Sequence, residues 1–197
     1  VNKEDMWISR IPVPVEINAS AHADDDFSKN KSIAELTDWN IYSPVWAPVS
    51  LEDQWLKLQD KDPFDYAKVE RKIPASKELK VSFDLKAGQN NKGTLHIEFL
   101  DENGIACSRM ELTDDGIFRL KGGSRFANMM KYEAGKVYHV EAVLSTVDRN
   151  IQVYVDGKRV GLRMFYAPVA AVERIVFRTG VPRTFPTVDT PADQTYD

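Results

Sequence analysis

The sequence predicts an all-β chain folded as an antiparallel two-sheet β-sandwich, and three observations predict it. From Trp46 onward, short runs rich in β-branched and aromatic residues alternate with turn clusters at fairly regular spacing. No segment of helical length and period separates these runs, so nothing supplies the crossovers that a parallel sheet needs. Two junctions carry hairpin chemistry, Asp101-Glu102-Asn103-Gly104 and Asp156-Gly157, the second with the residues that a type I′ turn demands.

The elements follow in chain order. Met6 to Ile17, MWISRIPVPVEI, contains Pro12 and Pro14, which forbid a central strand and leave an edge strand or polyproline-like connector. HADDDF, from His22 to Phe27, reads as an acidic loop, and Ser32 to Trp39 as a short helical turn with Ser32 as its N-cap and Glu35 three residues on. Strands are expected at Gln54 to Gln59, Ala67 to Ile73, Leu79 to Leu85, Thr94 to Leu100 and Ala106 to Leu112. Further ones are expected at Ile117 to Leu120, Val137 to Ser145, Asn150 to Val155, Lys158 to Met164 and Arg174 to Thr179. Met129 and Met130, with Phe126, read as a loop anchored in the core. The proline-rich end from Gly180 reads as an extended tail. The expected division is a strap over 1–50 packed on the sandwich edge, the sandwich over 51–180, and the tail over 181–197.

Composition removes several classes of function. A net charge of -4 and a pI near 5.5, with cations and acids interleaved, do not provide the positive field that a phosphate backbone requires, so nucleic acid is not an expected partner. No apolar run approaches the roughly 20 residues that span a bilayer, and no membrane insertion is expected. Cys107 is alone, which excludes an internal disulfide and a thiolate zinc site and makes it most simply a small core residue. The first residue is Val, so the chain is expected to be a piece of something longer.

YHVEAVLSTVDRNIQVYVDGKRV, from Tyr138 to Val160, resembles the most recognisable segment of concanavalin A-like, laminin G-like jelly-roll domains. An aromatic-His pair, Tyr138-His139, opens one strand; the next ends in Tyr154-Val155-Asp156-Gly157; a return strand follows. VERIVFRTG, from Val172 to Gly180, is similar to the strand that closes such sandwiches. A second stretch, NKEDMWISRIPVPV from Asn2 to Val15, looks like the closing segment of bacterial BNR-repeat propellers associated with glycan breakdown. Together the two resemblances imply a carbohydrate-associated accessory domain at the C-terminal side of a secreted or periplasmic polysaccharide-processing protein. Its partners would be a glycan and a neighbouring propeller. An active glycoside hydrolase or polysaccharide lyase, and a structural spacer, stay open beside that reading, because this architecture carries all three.

No catalytic residue emerges. Glu98 with Asp101 or Glu102 is the nearest carboxylate pair, but residues three apart on a strand face opposite sides, and Asp101 to Gly104 already reads as a turn. His22, His96 and His139 lie on a loop and two separate strands, where His139 is expected to make a structural hydrogen bond and His96 to sit on an exposed face. No cofactor is expected beyond a structural Ca²⁺, which many concanavalin A-like domains hold, with Asp24, Asp25 and Asp26 as the candidate ligands. For glycan the candidates are Trp39, Tyr42 and Trp46, three large aromatics in the loop-like DWNIYSPVW, because sugar C–H faces stack on such rings. Arg178 and Arg183 are their expected polar partners, and Arg163 and Tyr166 could join them toward an acidic sugar.

Overall fold

The computed structural model describes residues 23–180. Along them run β1 (Trp39–Tyr42), β2 (Val49–Glu52), β3 (Trp55–Leu58), β4 (Lys68–Ser76), β5 (Glu78–Lys86), β6 (Leu95–Leu100) and β7 (Ala106–Leu112). The series continues with β8 (Ile117–Gly122), β9 (Arg125–Lys131), β10 (Val137–Ser145), β11 (Asn150–Val155), β12 (Lys158–Met164) and β13 (Val172–Thr179). A single 3-10 turn, Ile33–Glu35, precedes β1. Its Ser32 makes no side-chain cap, though its carbonyl accepts from the Glu35 N–H at 3.2 Å, and the Lys31 N–H donates to Glu35 Oε2 at 2.9 Å. The expected N-terminal connector, the BNR-like stretch, His22, Arg183 and the tail lie outside the described residues.

A seven-stranded sheet in the order β1-β4-β13-β6-β7-β8-β9 packs over a four-stranded sheet in the order β12-β11-β10-β5, with β2 and β3 as a separate hairpin. Every pairing is antiparallel, as the hairpin spacing requires. The chain is therefore an antiparallel jelly-roll sandwich. Period-two alternation turns Val140, Ala142 and Leu144 of β10 and Ile151, Val153 and Val155 of β11 toward Ile97, Phe99, Met110, Leu112, Phe118 and Leu120 of the large sheet. Phe83 and Phe177 bridge the two layers edge to face, with ring centroids 5.1 Å apart. At the seam between β12 and β9, Gly161 admits Met129: a Cβ there would stand 2.7 Å from its Sδ.

Three strands were absent from the sequence-based expectation. β2 and β3 are joined by Asp53 and Gln54, both at positive φ (50° and 68°), a primed turn built without the glycine or asparagine that would announce it. β1 has only four residues and lies in the segment expected to be loop. β9 replaces the loop expected at Phe126 to Met130; its hairpin was signalled by Gly122 and Gly123, the latter at φ 57°. The boundary expected at 50/51 falls inside β2, and β1 is itself an edge strand of the large sheet. At the Asp156-Gly157 hairpin both residues take positive φ (49° and 76°), the geometry of a type I′ turn.

Candidate functional site

On each strand of the large sheet, the residues that alternate with the core face outward, and the registers align them into rows. One row crosses six strands: Tyr42 opposite Lys68, Lys68 opposite Arg178, Arg178 opposite His96, His96 opposite Glu111 and Glu111 opposite Arg119. The adjacent row runs Asn40, Glu70, Val176, Glu98, Arg109. An all-polar row across six strands is far from the single exposed charges that merely keep a sheet face wet.

Ion pairs knit the rows. Arg119 reaches Glu111 Oε2 with Nε at 2.7 Å and Nη2 at 2.6 Å, and Arg109 reaches Glu98 Oε1 with Nε at 2.7 Å and Nη2 at 2.6 Å. Lys68 and Arg174 share Glu70, at 2.8 Å and 3.3 Å. Burial works against the Glu111 charge, but His96 and Arg119 outweigh it and hold the carboxyl below its ordinary range. His96 lies on the outer face as expected, yet it is only 3% exposed. Its Nδ1 stands 3.0 Å from Glu111 Oε1, an ion-pair distance, but neither ring nitrogen meets a partner in hydrogen-bonding alignment. Tyr166, on the link between β12 and β13, has a buried hydroxyl that also lacks a partner. Burial drives that phenol up to about 12, with Arg109, Glu98 and Glu111 all within electrostatic reach.

At the β1 end of the row the site turns aromatic. Tyr42 and Tyr66 stand 5.1 Å apart, and the Arg178 guanidinium lies 3.9 Å over the Tyr66 ring. Tyr42 donates from its hydroxyl to Asp65 Oδ2 at 3.1 Å; partial burial and that acidic neighbour raise its pKa. Thus Tyr42 and Arg178, both expected for glycan, do meet, through a Tyr66 that sequence reading missed. Trp39 is on the opposite side of β1: it packs on the small core of Ala47, Val49, Ala67 and Val69, beside Phe27 at 5.8 Å. Trp46 is 66% exposed in the turn after β1, where its carbonyl accepts from the Lys61 N–H at 2.8 Å. Val45 beside it and Phe64, on the loop between β3 and β4, are also large exposed apolar residues.

The three expected Ca²⁺ ligands take separate courses. Asp25 pairs with the buried Arg71 at 2.8 Å, Asp26 accepts from the backbone and hydroxyl of Ser28, and Asp24 is exposed. No group of three or more His, Cys, Asp or Glu that could hold a metal ion is gathered among the described residues. His139 pairs with Asp84 at 2.8 Å on the exposed side of the small sheet, far in sequence and layer from the polar row. Glu98 is committed to Arg109, while Asp101 closes the turn by accepting from the Asn103 and Ile105 N–H groups.

The family model described as "Sialidase-like, CBM domain" matches residues 39–194. The chain belongs to the sialidase-like carbohydrate-binding module family. A solved structure named "Sialidase" is 88% identical over 95% of the chain with a TM-score of 0.86, and the module spans 17% of that protein's length. The apo Crh5 transglycosylase is 12% identical over 90% of the chain and 82% of its own, with a TM-score of 0.66, a likeness of fold. Comparison with curated proteins gives no match. The matched region begins at Trp39, the first residue of β1, so the family unit takes in the edge strand that carries Tyr42.

Proposed function

We propose that the module is the non-catalytic, glycan-binding accessory domain of a secreted or periplasmic sialidase, and that it holds sugar on the outer face of the large sheet. The observation that carries the proposal is the Tyr42, Tyr66 and Arg178 ledge: two rings 5.1 Å apart, one capped by a guanidinium, at the end of a polar row. Apolar C–H faces of a pyranose stack on such rings, while adjacent charged and amide groups accept and donate to its hydroxyls. Glu111 of that row and Glu70 and Glu98 of the adjacent one are each committed to an arginine or lysine, an arrangement suited to binding rather than to proton transfer.

Incubating the chain with a panel of host and plant glycans tests this. Retention without products, abolished by Tyr66→Ala, is the expected result. Products would make the chain an enzyme. Neither retention nor products would favour a second reading, a module that packs on a neighbouring domain such as a propeller. The exposure of Val45 (83%) and Trp46 (66%), consecutive in the turn after β1, and of Phe64 (69%) before β4 supports that second role, since exposed large apolar groups mark interaction surfaces when a partner covers them.

A further inference from the structure

We propose that the seam between β9 and β12 is a docking groove for an extended acidic segment of a partner protein, one of whose apolar side chains fills a cavity in the seam while its carboxylates meet the cations at either end. The groove runs along an open edge of the sandwich and owes nothing to glycan binding. β9 ends the seven-stranded sheet and β12 ends the four-stranded one, and among the described residues no further strand pairs with either.

Two glycines shape the groove. A Cβ on Gly122 would stand 2.7 Å from Cδ of Arg163, and one on Gly161 would stand 2.7 Å from Sδ of Met129. These contacts fix how the edges run: the start of β9, where Arg125 pairs with Gly122, lies by the end of β12, and Lys131 lies toward Lys158 and Arg159. Val160 is the extra residue where the β11–β12 register shifts, and beyond it Gly161 and Arg163 stand opposite the buried Val153 and Ile151, on the core side of the small sheet. A cavity of about 230 Å³ results, with Leu120, Met129, Val160 and Gly161 among its lining and the exposed Asn128 and Arg163 at its mouth. The Arg163 stem is laid across Gly122 while Nη1 donates to the Leu162 carbonyl at 2.8 Å, so its charge is held beside the opening.

Charge says what the groove takes. The chain carries a net -4, yet β8, β9 and β12 hold seven cations and not one Asp or Glu. Arg119 is paired with Glu111, and Lys121 sits over the Phe126 and Tyr166 rings. Among the described residues Arg125, Lys131, Lys158, Arg159 and Arg163 meet no carboxylate at ion-pair distance. Cations along an edge discourage strand pairing by themselves, but that role does not call for an arginine packed over a glycine at the mouth of an apolar hollow. The hollow also separates one anionic occupant from another. A cavity of about 150 Å³ already accepts benzene, so this one has room for an aliphatic or aromatic side chain, which a sulfated polysaccharide does not carry. A second copy joined seam to seam would oppose like charges. An extended peptide, in contrast, can use the unpaired N–H and C=O groups of the two edges as well as the cations. From Arg125 to Lys131 the groove is roughly 20 Å long at about 3.3 Å per residue, the reach of about six extended residues.

The test is fluorescence anisotropy on the full chain with a labelled probe, acetyl-Glu-Glu-Glu-Leu-Glu-Glu-Glu-amide, and two controls, one with every Glu replaced by Gln and one with Leu replaced by Ala. Saturable binding that weakens as salt is raised is expected, at least tenfold weaker for the Gln control and several-fold weaker for the Ala control. Arg163→Met keeps a stem over Gly122 and removes the charge; it should weaken the Glu probe about fivefold at unchanged melting temperature, and so should Lys158→Ser combined with Arg159→Ser at the other end. No binding at low salt, or equal binding of the Glu and Gln probes, would overturn the acidic partner. Equal binding of the Leu and Ala probes would overturn the seating of a side chain in the cavity, and binding indifferent to both sets of variants would overturn the seam as its place. A heparin fragment or an oligothymidylate that binds more tightly than the peptide and loses affinity in the same variants would overturn a peptide as the occupant. Self-association in sedimentation that disappears in Arg163→Met would do so in favour of a second copy.

Discussion

Glu111→Ala should destabilise the module by about 2–3 kcal/mol at neutral pH. The carboxylate is 3% exposed and takes two short bonds from Arg119. Breaking a buried ion pair typically costs about 3–5 kcal/mol. Arg119 keeps about a third of its side chain in water and can turn outward when its partner goes, which lowers the loss to the range given. For a domain of this size each kcal/mol moves the melting temperature by about 2–4 °C, so a drop of about 4–12 °C is expected. The sign with pH follows from the carboxyl being held below its ordinary 4.5: burial alone would raise it, but His96 and Arg119 prevail. A depressed native pKa means that the stabilisation is complete above the unfolded-state value and is lost as pH falls through the lower native value. Glu111→Gln keeps the shape and removes the charge. Its deficit against the parent should therefore be full at pH 7 and shrink progressively below about pH 4.5. Urea titrations of both variants at pH 7, 5, 4 and 3.5 measure this. A Glu111→Ala loss under about 0.5 kcal/mol, typical of surface substitutions, would refute the reasoning, as would a Glu111→Gln deficit that does not change with pH.

Three further outcomes are expected. Trp46→Ala should cost no more than about 2 kcal/mol, since only a third of the ring is covered, whereas Phe99→Ala, with no exposure, should cost about 3–5 kcal/mol; equal losses in denaturant titration would show that Trp46 is packed. Thr179→Val should cost about 1–3 kcal/mol, because the hydroxyl donates to the buried Asp60 at 2.8 Å and accepts from the Ala67 N–H at 2.8 Å; a neutral effect on the unfolding midpoint would mean that Ala67 finds another acceptor. The Cys107 thiol, fully buried and pushed up to about 12 by that burial, should resist a disulfide reagent at pH 8 and react once the chain is unfolded; prompt labelling of the native protein would contradict its placement.

β7, β10, β11 and β12 were legible to the residue, because β10 and β11 alternate and the turns Asp101 to Gly104 and Asp156-Gly157 mark where β7, β11 and β12 begin or end. β2 was hidden by a turn whose chemistry, Asp53-Gln54, contradicts its geometry, and β9 was lost although Gly122-Gly123 stood at its start. At the site the aromatic cluster was visible, but its parity was not. Trp39 and Tyr42 are three apart, so once they share a strand one must face the core and the other must not. Reading the segment as loop concealed that division.

The polar row lay further from view because it is a product of register rather than of sequence neighbourhood. β13 inserts between β4 and β6, placing Arg178 beside Lys68 and His96, which precede it by more than eighty residues. No local rule joins those three, and charge counting along the chain reports only an unremarkable acidic protein. The same insertion explains why the two ends of the site belong together. Thr179, one residue beyond Arg178, is tied to Asp60 and Ala67, and Ala67 follows the Tyr66 on which Arg178 stacks. Docking the last strand thus fixes the aromatic ledge and closes the gap between Lys68 and His96 in a single step. A surface assembled from the latest and the earliest strands exists only in the completed fold, so its recognition depends on the whole sandwich and not on any one hairpin.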